Sequence, residues 1–312
     1  MVADRVRAPR IGRIVRYAEV GGARLSVIGL GTWQFGSTEW GYGREYSTRV
    51  AGEIVRRALE LGINLIDTAE VYGLGRSERI VGGSIRGRRE SVFLATKLFP
   101  VGLPFMTRRR ARASARRLDV EQIDLYQQHW PSPLFPPNAT MPRFRKLVEE
   151  GLVRHVGVSN HSLAAWQKCE RAYGGRVLSN QVRFSLAHRE PERELLPWAQ
   201  REGRIVIAYS PLGQGALSGN YQSSSPTNFR RFRGDFSAEA RAGREPLVAA
   251  LREIASAHQA TAAQIALAWL VQKPNVVAIP GASHVKQVEE NAAAADIDLT
   301  ADDVRRLDTL AG

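Results

Sequence analysis

The sequence predicts an α/β fold, a (β/α)8 TIM barrel with an N-terminal β-hairpin and long loops on the face where the strands end. Three observations carry this expectation. Short apolar runs at about residues 25–30, 63–67, 91–97, 123–129, 152–158, 177–182, 205–209 and 276–279 alternate with amphipathic stretches, as in parallel strands joined by right-handed crossovers. The chain has 312 residues against the roughly 250 of such a barrel, so one catalytic domain accounts for residues 16–312. An open doubly wound sheet would fit the alternation equally well, but no G-x-G-x-x-G follows the first strand and no GxxxxGK[ST] occurs. The nearest approach, Gly213-Gln214-Gly215-Ala216-Leu217-Ser218-Gly219, comes after the seventh strand, where a barrel keeps its phosphate site.

In chain order, residues 1–15 read as a flexible arm. Two short runs between Tyr17 and Ile28 flank Gly21-Gly22, a two-residue hairpin signal, and the hairpin is expected to plug the barrel floor. Leu25 to Leu30 leads into the first unit, and a Gly-rich aromatic loop follows, with Trp33, Phe35 and Gly36. The first helix starts at Ser47 or Thr48 as N-cap, carries Val50, Ile54, Ala58 and Leu61 on one face and stops at Gly62. Further helices are expected near 76–86, 107–118, 140–150, 162–171, 191–202 and 244–272. In the 107–118 stretch Ala111, Ala115 and Leu118 form a narrow apolar stripe and the arginines cover the rest, the pattern of an outer barrel helix.

Composition narrows the class. Hydrophobic residues make up 44% of the chain, enough for a sizeable core, and no apolar run approaches the roughly 18 residues of a membrane span. The basic N-terminus leads into Pro9 and Gly12 with no apolar segment of a secretory signal. The single cysteine, Cys169, cannot form an intrachain disulfide and suits a reducing cytoplasm. The six histidines form no HExxH or Cys/His cluster, so no metal site is expected. The net charge of +13 has no nucleic-acid-binding motif beside it and is spread along the chain; a soluble protein that attracts an anionic small molecule explains it better than nucleic acid or membrane binding.

Four ionisable residues stand at the ends of consecutive strands. Ile63 to Ile66 ends on Asp67, with Tyr72 in the Gly-bounded loop beyond; Ser91 to Thr96 ends on Lys97; and Ile123 to Gln128 ends on His129. A carboxylate at the end of a buried strand requires a cation or several donors nearby. Of 44 basic residues only 5 are lysine, so Lys97 is not an interchangeable positive charge. Its compact ammonium suits a group that perturbs a neighbour.

With these residues in place, the sequence resembles the aldo-keto reductase family. Asp67 and Tyr72 in NLIDTAEVYG, Lys97 in FLATK and His129 in IDLYQQHW match its Asp-Tyr-Lys-His tetrad. The similarity runs from about Tyr17 to Leu310, through GVSN at 157–160, SNQ at 179–181, AYSPL at 208–212 and IPGA at 279–282. The resemblance implies a nicotinamide cofactor lying extended across the C-terminal face, and reduction of an aldehyde or ketone to an alcohol. Tyr72 would donate the proton, Lys97 would stabilise its phenolate, Asp67 would hold Lys97, and neutral His129 would hydrogen-bond the carbonyl oxygen or relay the proton.

The resemblance further implies that Ser159, Asn160 and Gln181 bind the carboxamide, Tyr209 stacks on the nicotinamide, and Ser210, Pro211, Leu212 and Gly213 meet the pyrophosphate. After the eighth strand, Gly281 begins the segment toward the adenosine. There Ser283 and Gln287, with His284 or Lys286, would face a 2′-phosphate, and Glu290 and Asn291 the adenine. Many family members carry an arginine where Ser283 stands, so NADP(H) is expected by a narrow margin, with NAD(H) the alternative. Trp33, Phe35, Trp40, Phe99 and Trp130 fall in loops on the same face and suggest an aromatic pocket for a small carbonyl substrate. The long connection from Leu212 to Arg244 would cover the site. The competing function is that of a cofactor-binding regulatory subunit with little turnover.

Overall fold

The computed structural model describes residues 15–38, 41–43, 47–219 and 237–312. Strands β1 (Tyr17–Val20) and β2 (Ala23–Ser26) form an antiparallel hairpin in which Val20 faces Ala23. Its turn, Gly21-Gly22, has φ of 61° and 80°, the paired left-handed conformation that a two-residue hairpin needs and glycine adopts at no steric cost.

Eight parallel strands follow: β3 (Leu30–Gly31), β4 (Leu65–Asp67), β5 (Phe93–Leu98), β6 (Ile123–Gln128), β7 (Val153–Ser159), β8 (Ser179–Arg183), β9 (Ile205–Tyr209) and β10 (Val276–Ala278). Each pairs with the next in chain order. The ring closes between its first and last members. Gly29 N–H donates to Ala278 O at 2.8 Å, Ala278 N–H to Val27 O at 2.8 Å and Gly31 N–H to Pro280 O at 3.0 Å, with bridges Ile28 to Ala278 and Gly31 to Gly281. A Cβ on Gly31 would lie 2.7 Å from the Ile279 carbonyl, so the closing strands meet this closely only because the residue is glycine.

The helices are α1 (Thr48–Glu60), α2 (Arg76–Ile85), α3 (Thr107–Leu118), α4 (Pro137–Glu149), α5 (Leu163–Tyr173), α6 (Leu195–Arg201), α7 (Ala238–Ala257), α8 (Ala262–Val271), α9 (Val285–Ala293) and α10 (Ala301–Ala311). Ser47 caps α1 by accepting from Val50 N–H, and α3 buries Ala111, Ser114, Ala115 and Leu118. The single helix expected over 244–272 is two. Gln259 takes a left-handed φ of 52°, and Thr261 restarts the chain with a reciprocal capping box to Gln264. The α8 helix is buried nearly all round, so it carries no amphipathic period by which its start could be read. The closing helix α10 was not among the expected elements.

Two apolar clusters form the core. The larger lies between strands and helices. The smaller contains no helix residue: it joins Leu65, Phe93, Ala95, Leu125, Ile205 and Val277 from alternating strand positions to Val20, Ala23 and Leu25 of the hairpin. It is the barrel interior, and the hairpin continues it at the floor as expected. Val15 is already buried in the larger cluster, while residues 1–14 of the expected arm lie outside the described residues, as does the 220–236 part of the long connection.

Candidate active site

Parallel strands deliver their last residues to one rim, and the four expected groups meet there. Asp67 ends β4, Lys97 lies on β5, and His129 directly follows β6. Lys97 Nζ donates to Asp67 Oδ2 at 2.6 Å, to the Thr68 carbonyl at 2.8 Å and to the Tyr72 hydroxyl at 3.3 Å. The lysine is 0% and the aspartate 2% exposed. Burial opposes the ammonium charge, but Asp67 and Tyr72 more than offset it, and the Lys97 pKa is raised.

Tyr72 opens a tight turn, Tyr72–Gly75, in which Gly73, Leu74 and Gly75 take φ of 53°, 55° and 79°. Glycine adopts this conformation freely, but Leu74 in its midst is costly without support. The support is a buried hydroxyl network: Thr68 Oγ1 donates to Ser77 Oγ at 2.9 Å, and Ser77 Oγ donates to the Thr32 carbonyl at 2.9 Å. Behind it Glu78, fully buried, accepts from Thr96 Oγ1 at 2.7 Å and from Arg117 Nε at 2.5 Å. Burial pushes the Tyr72 pKa up and Asp67 adds to this, while Lys97 pulls it down; the net direction is upward. The expected lowering by Lys97 is present but outweighed, so Tyr72 keeps its proton at neutral pH. His129 is lowered to about 3, first by burial and then by Lys97, and is neutral.

Several residues matched to cofactor contacts are tied to this centre by hydrogen bonds. Ser159 Oγ donates to Gln181 O at 2.9 Å, Asn160 Nδ2 to His129 O at 3.1 Å and Tyr209 OH to Asn160 Oδ1 at 2.9 Å. Gln181 Nε2 donates to Asp67 Oδ1 at 2.8 Å. After β9 the chain turns through Ser210 at φ 50°, Pro211, Leu212 at φ −102° and Gly213 at φ 56°. Gly213 N–H itself is engaged by Ser210 O at 2.9 Å.

At the far end a Cβ on Gly281 would lie 2.8 Å from the Gln34 side-chain amide, and Asn291 Nδ2 donates to Gly281 O at 3.4 Å. Ser283 N–H donates to Gln287 Oε1 at 2.8 Å, His284 caps α9, and Glu290 pairs with Lys286 at 3.7 Å.

The aromatic residues divide. Trp33 lies 6.5 Å from Tyr72 and Phe99 5.8 Å from His129, ring centre to ring centre, and Trp130 is 46% exposed. Phe35 is fully buried in the larger core cluster, because the chain turns inward after Thr32; it packs the loop and does not face the mouth. Trp40 lies outside the described residues. Glu78 with Arg117, and Gln127, which donates to Asp67 Oδ1 at 3.4 Å, were missed from the sequence. Gln127 had a signal: it is a polar residue that alternates with Leu125 on the inward face of a buried strand.

A closed eight-stranded barrel with this Asp, Tyr, Lys and His on its C-terminal rim defines an oxidoreductase of the aldo/keto reductase type. Residues 27–311 match the model of the Aldo/keto reductase family, and the chain belongs to that family. It is 52% identical over 290 residues to an uncharacterized oxidoreductase of Mycobacterium tuberculosis, covering 92% of this chain and 90% of the relative. To the methylglyoxal reductase YeaE of Escherichia coli it is 36% identical over 290 residues, 92% of each. Among solved structures, an aldo-keto reductase from Klebsiella pneumoniae in complex with NADPH superposes with a TM-score of 0.78 at 32% identity, covering 96% and 95% of the two chains.

Proposed function

We propose that the protein is an NADP(H)-dependent oxidoreductase that reduces an aldehyde or ketone to an alcohol, with Tyr72 as the proton donor. The observation that carries this reading is the position of Lys97 Nζ, in hydrogen-bond contact with both Asp67 and the Tyr72 hydroxyl. When bound, the cofactor supplies the hydride. The protein then has to supply a proton to the carbonyl oxygen. Tyr72 is protonated at neutral pH, and Lys97, buried beside it, stabilises the phenolate left after transfer. Asp67 fixes Lys97 and partly compensates its charge. Neutral His129, across the Tyr72 ring at 5.8 Å, offers a ring N–H to the carbonyl oxygen.

Residues 159–160, 181 and 209–213 would hold the nicotinamide and pyrophosphate end, and Gly281, Ser283, Gln287, Glu290 and Asn291 the adenosine end. The bare backbone of Gly213, at φ 56°, and of Gly281 would let an extended anionic dinucleotide approach the chain closely. The solved relative with NADPH bound supports NADP(H); Ser283 and Gln287, with His284 or Lys286, would face its 2′-phosphate. Trp33, Phe99 and Trp130 favour apolar or aromatic carbonyl compounds. The test is NADPH oxidation, followed by absorbance, with a panel of aldehydes and ketones: no turnover across the panel, with NADPH bound, would favour the regulatory-subunit alternative.

A further inference from the structure

The barrel interior beneath the catalytic rim is lined by Leu65, Ala95, Leu125 and Ile207; Gln127, two residues beyond Leu125 on β6 and in register with Lys97, is one of the polar side chains buried above them. The side chain is fully buried; among the described residues its Oε1 has no hydrogen-bond partner, and its Nε2 donates to Asp67 Oδ1 at 3.4 Å. A buried amide with most of its hydrogen-bonding capacity unmet is less stable there than leucine, so its presence asks for a role. Gln127 pairs in register with Lys97 on one side and Gly157 on the other, and a Cβ on Gly157 would lie 2.5 Å from Ser179 Oγ and 3.0 Å from Gln127 Cγ.

We infer that Gln127 is a positioning residue for the proton donor: with Gln181 it holds the second oxygen of Asp67, so that the first stays on Lys97 and Lys97 stays on Tyr72. The inference rests on the proposed role of Tyr72. Asp67 Oδ1 accepts from Gln181 at 2.8 Å and Gln127 at 3.4 Å, while Oδ2 accepts from Lys97 at 2.6 Å. Without Gln127 the carboxylate loses a donor that spreads its charge and, with Gln181 alone on Oδ1, turns more readily toward Lys97, drawing the ammonium away from Tyr72. Both changes favour the neutral phenol. The titratable groups that face Tyr72 are Asp67 on β4, Lys97 on β5, His129 after β6 and Tyr209 on β9; His129 is neutral across the range concerned.

The test uses the whole chain with Gln127→Leu and, as an unbranched replacement, Gln127→Met. Expected are an alkaline limb of carbonyl reduction moved up by about half a pH unit or more, kcat lowered about three- to tenfold, and an unchanged dissociation constant for NADPH. Ultraviolet difference titration of tyrosinate should show the same upward move without turnover. Ser179→Ala, which alters a neighbouring interior polar group, should leave the limb in place. A limb identical to wild type in both Gln127 variants, or an equal move in Ser179→Ala, overturns the inference. Tyr72→Phe separates the two levels: if it keeps turnover, the proton-donor reading fails; if it is inactive while the Gln127 variants titrate like wild type, only the positioning role fails.

Discussion

Lys97 and Asp67 form an ion pair 2.6 Å long in which neither side chain exceeds 2% exposure. A pair sealed in this way is little screened by salt, and its charges act chiefly on the nearest titratable hydroxyl, that of Tyr72. Asp67 raises and Lys97 lowers the Tyr72 pKa. Asp67→Asn should therefore move the alkaline limb of carbonyl reduction to lower pH, opposite to Gln127→Leu, and Lys97→Met should nearly abolish turnover. A pH profile unchanged in Asp67→Asn would disconnect the pair from Tyr72.

Tyr72→Phe removes one hydroxyl and keeps the ring between Trp33 and His129. Cofactor affinity should persist while kcat falls by at least about a hundredfold, the lower range for loss of a general acid. Stopped-flow NADPH binding and steady-state turnover on the same preparation check both halves.

The 2′-phosphate end should prefer NADPH over NADH by a modest factor, on the order of tenfold in kcat/KM, since a serine at position 283 discriminates less than the charged fork of an arginine. Ser283→Arg should widen that ratio. Equal kcat/KM values for the two cofactors in the wild-type protein would show that Ser283, His284 and Gln287 do not select the phosphate.

Arg117→Met leaves Glu78 fully buried with Thr96 as its remaining side-chain partner. Stranding a buried carboxylate costs about 3 kcal/mol, so the denaturant midpoint should fall clearly, and Glu78→Gln in the same chain should recover part of it. A midpoint within error of wild type would mean that Glu78 is solvated or protonated.

Two buried histidines predict acid sensitivity. His129 is lowered to about 3 and His161 to about 4, both chiefly by burial, whereas unfolded histidine titrates near 6.5. Below about pH 6.5 the unfolded chain takes up protons that the folded chain refuses, so stability falls with pH until the folded values are reached. At pH 5 each should cost on the order of 1–2 kcal/mol. Urea unfolding of the cofactor-free protein at pH 7.5 and 5 measures this, and His161→Gln should reduce the difference.

The sequence made legible what depends on local periodicity and on strand ends. The Gly21-Gly22 turn, the eight strands and the convergence of Asp67, Tyr72, Lys97 and His129 follow from alternation and from parallel strands sharing one rim. What escaped depends on neighbours distant in the chain. The α7 to α8 break is set by a left-handed Gln259 and a reciprocal cap, inside a stretch apolar enough to read as one helix. Phe35 shares the composition of the aromatic loop but is turned inward. Glu78 and Arg117 are 39 positions apart, and each by itself is an ordinary charged residue on a helix.

The pairing of Gly31 with Gly281 also bears on how the chain reaches its native state. All four groups of the tetrad lie within the first 129 positions, yet the ring they stand on cannot shut until β10 and the residues just after it have emerged and docked. Contacts of such long sequence separation form slowly and late. During synthesis the unpaired edges of β3 and of the most recently added strand would stay open to other chains, so a stalled or truncated product is expected to aggregate despite carrying the whole tetrad.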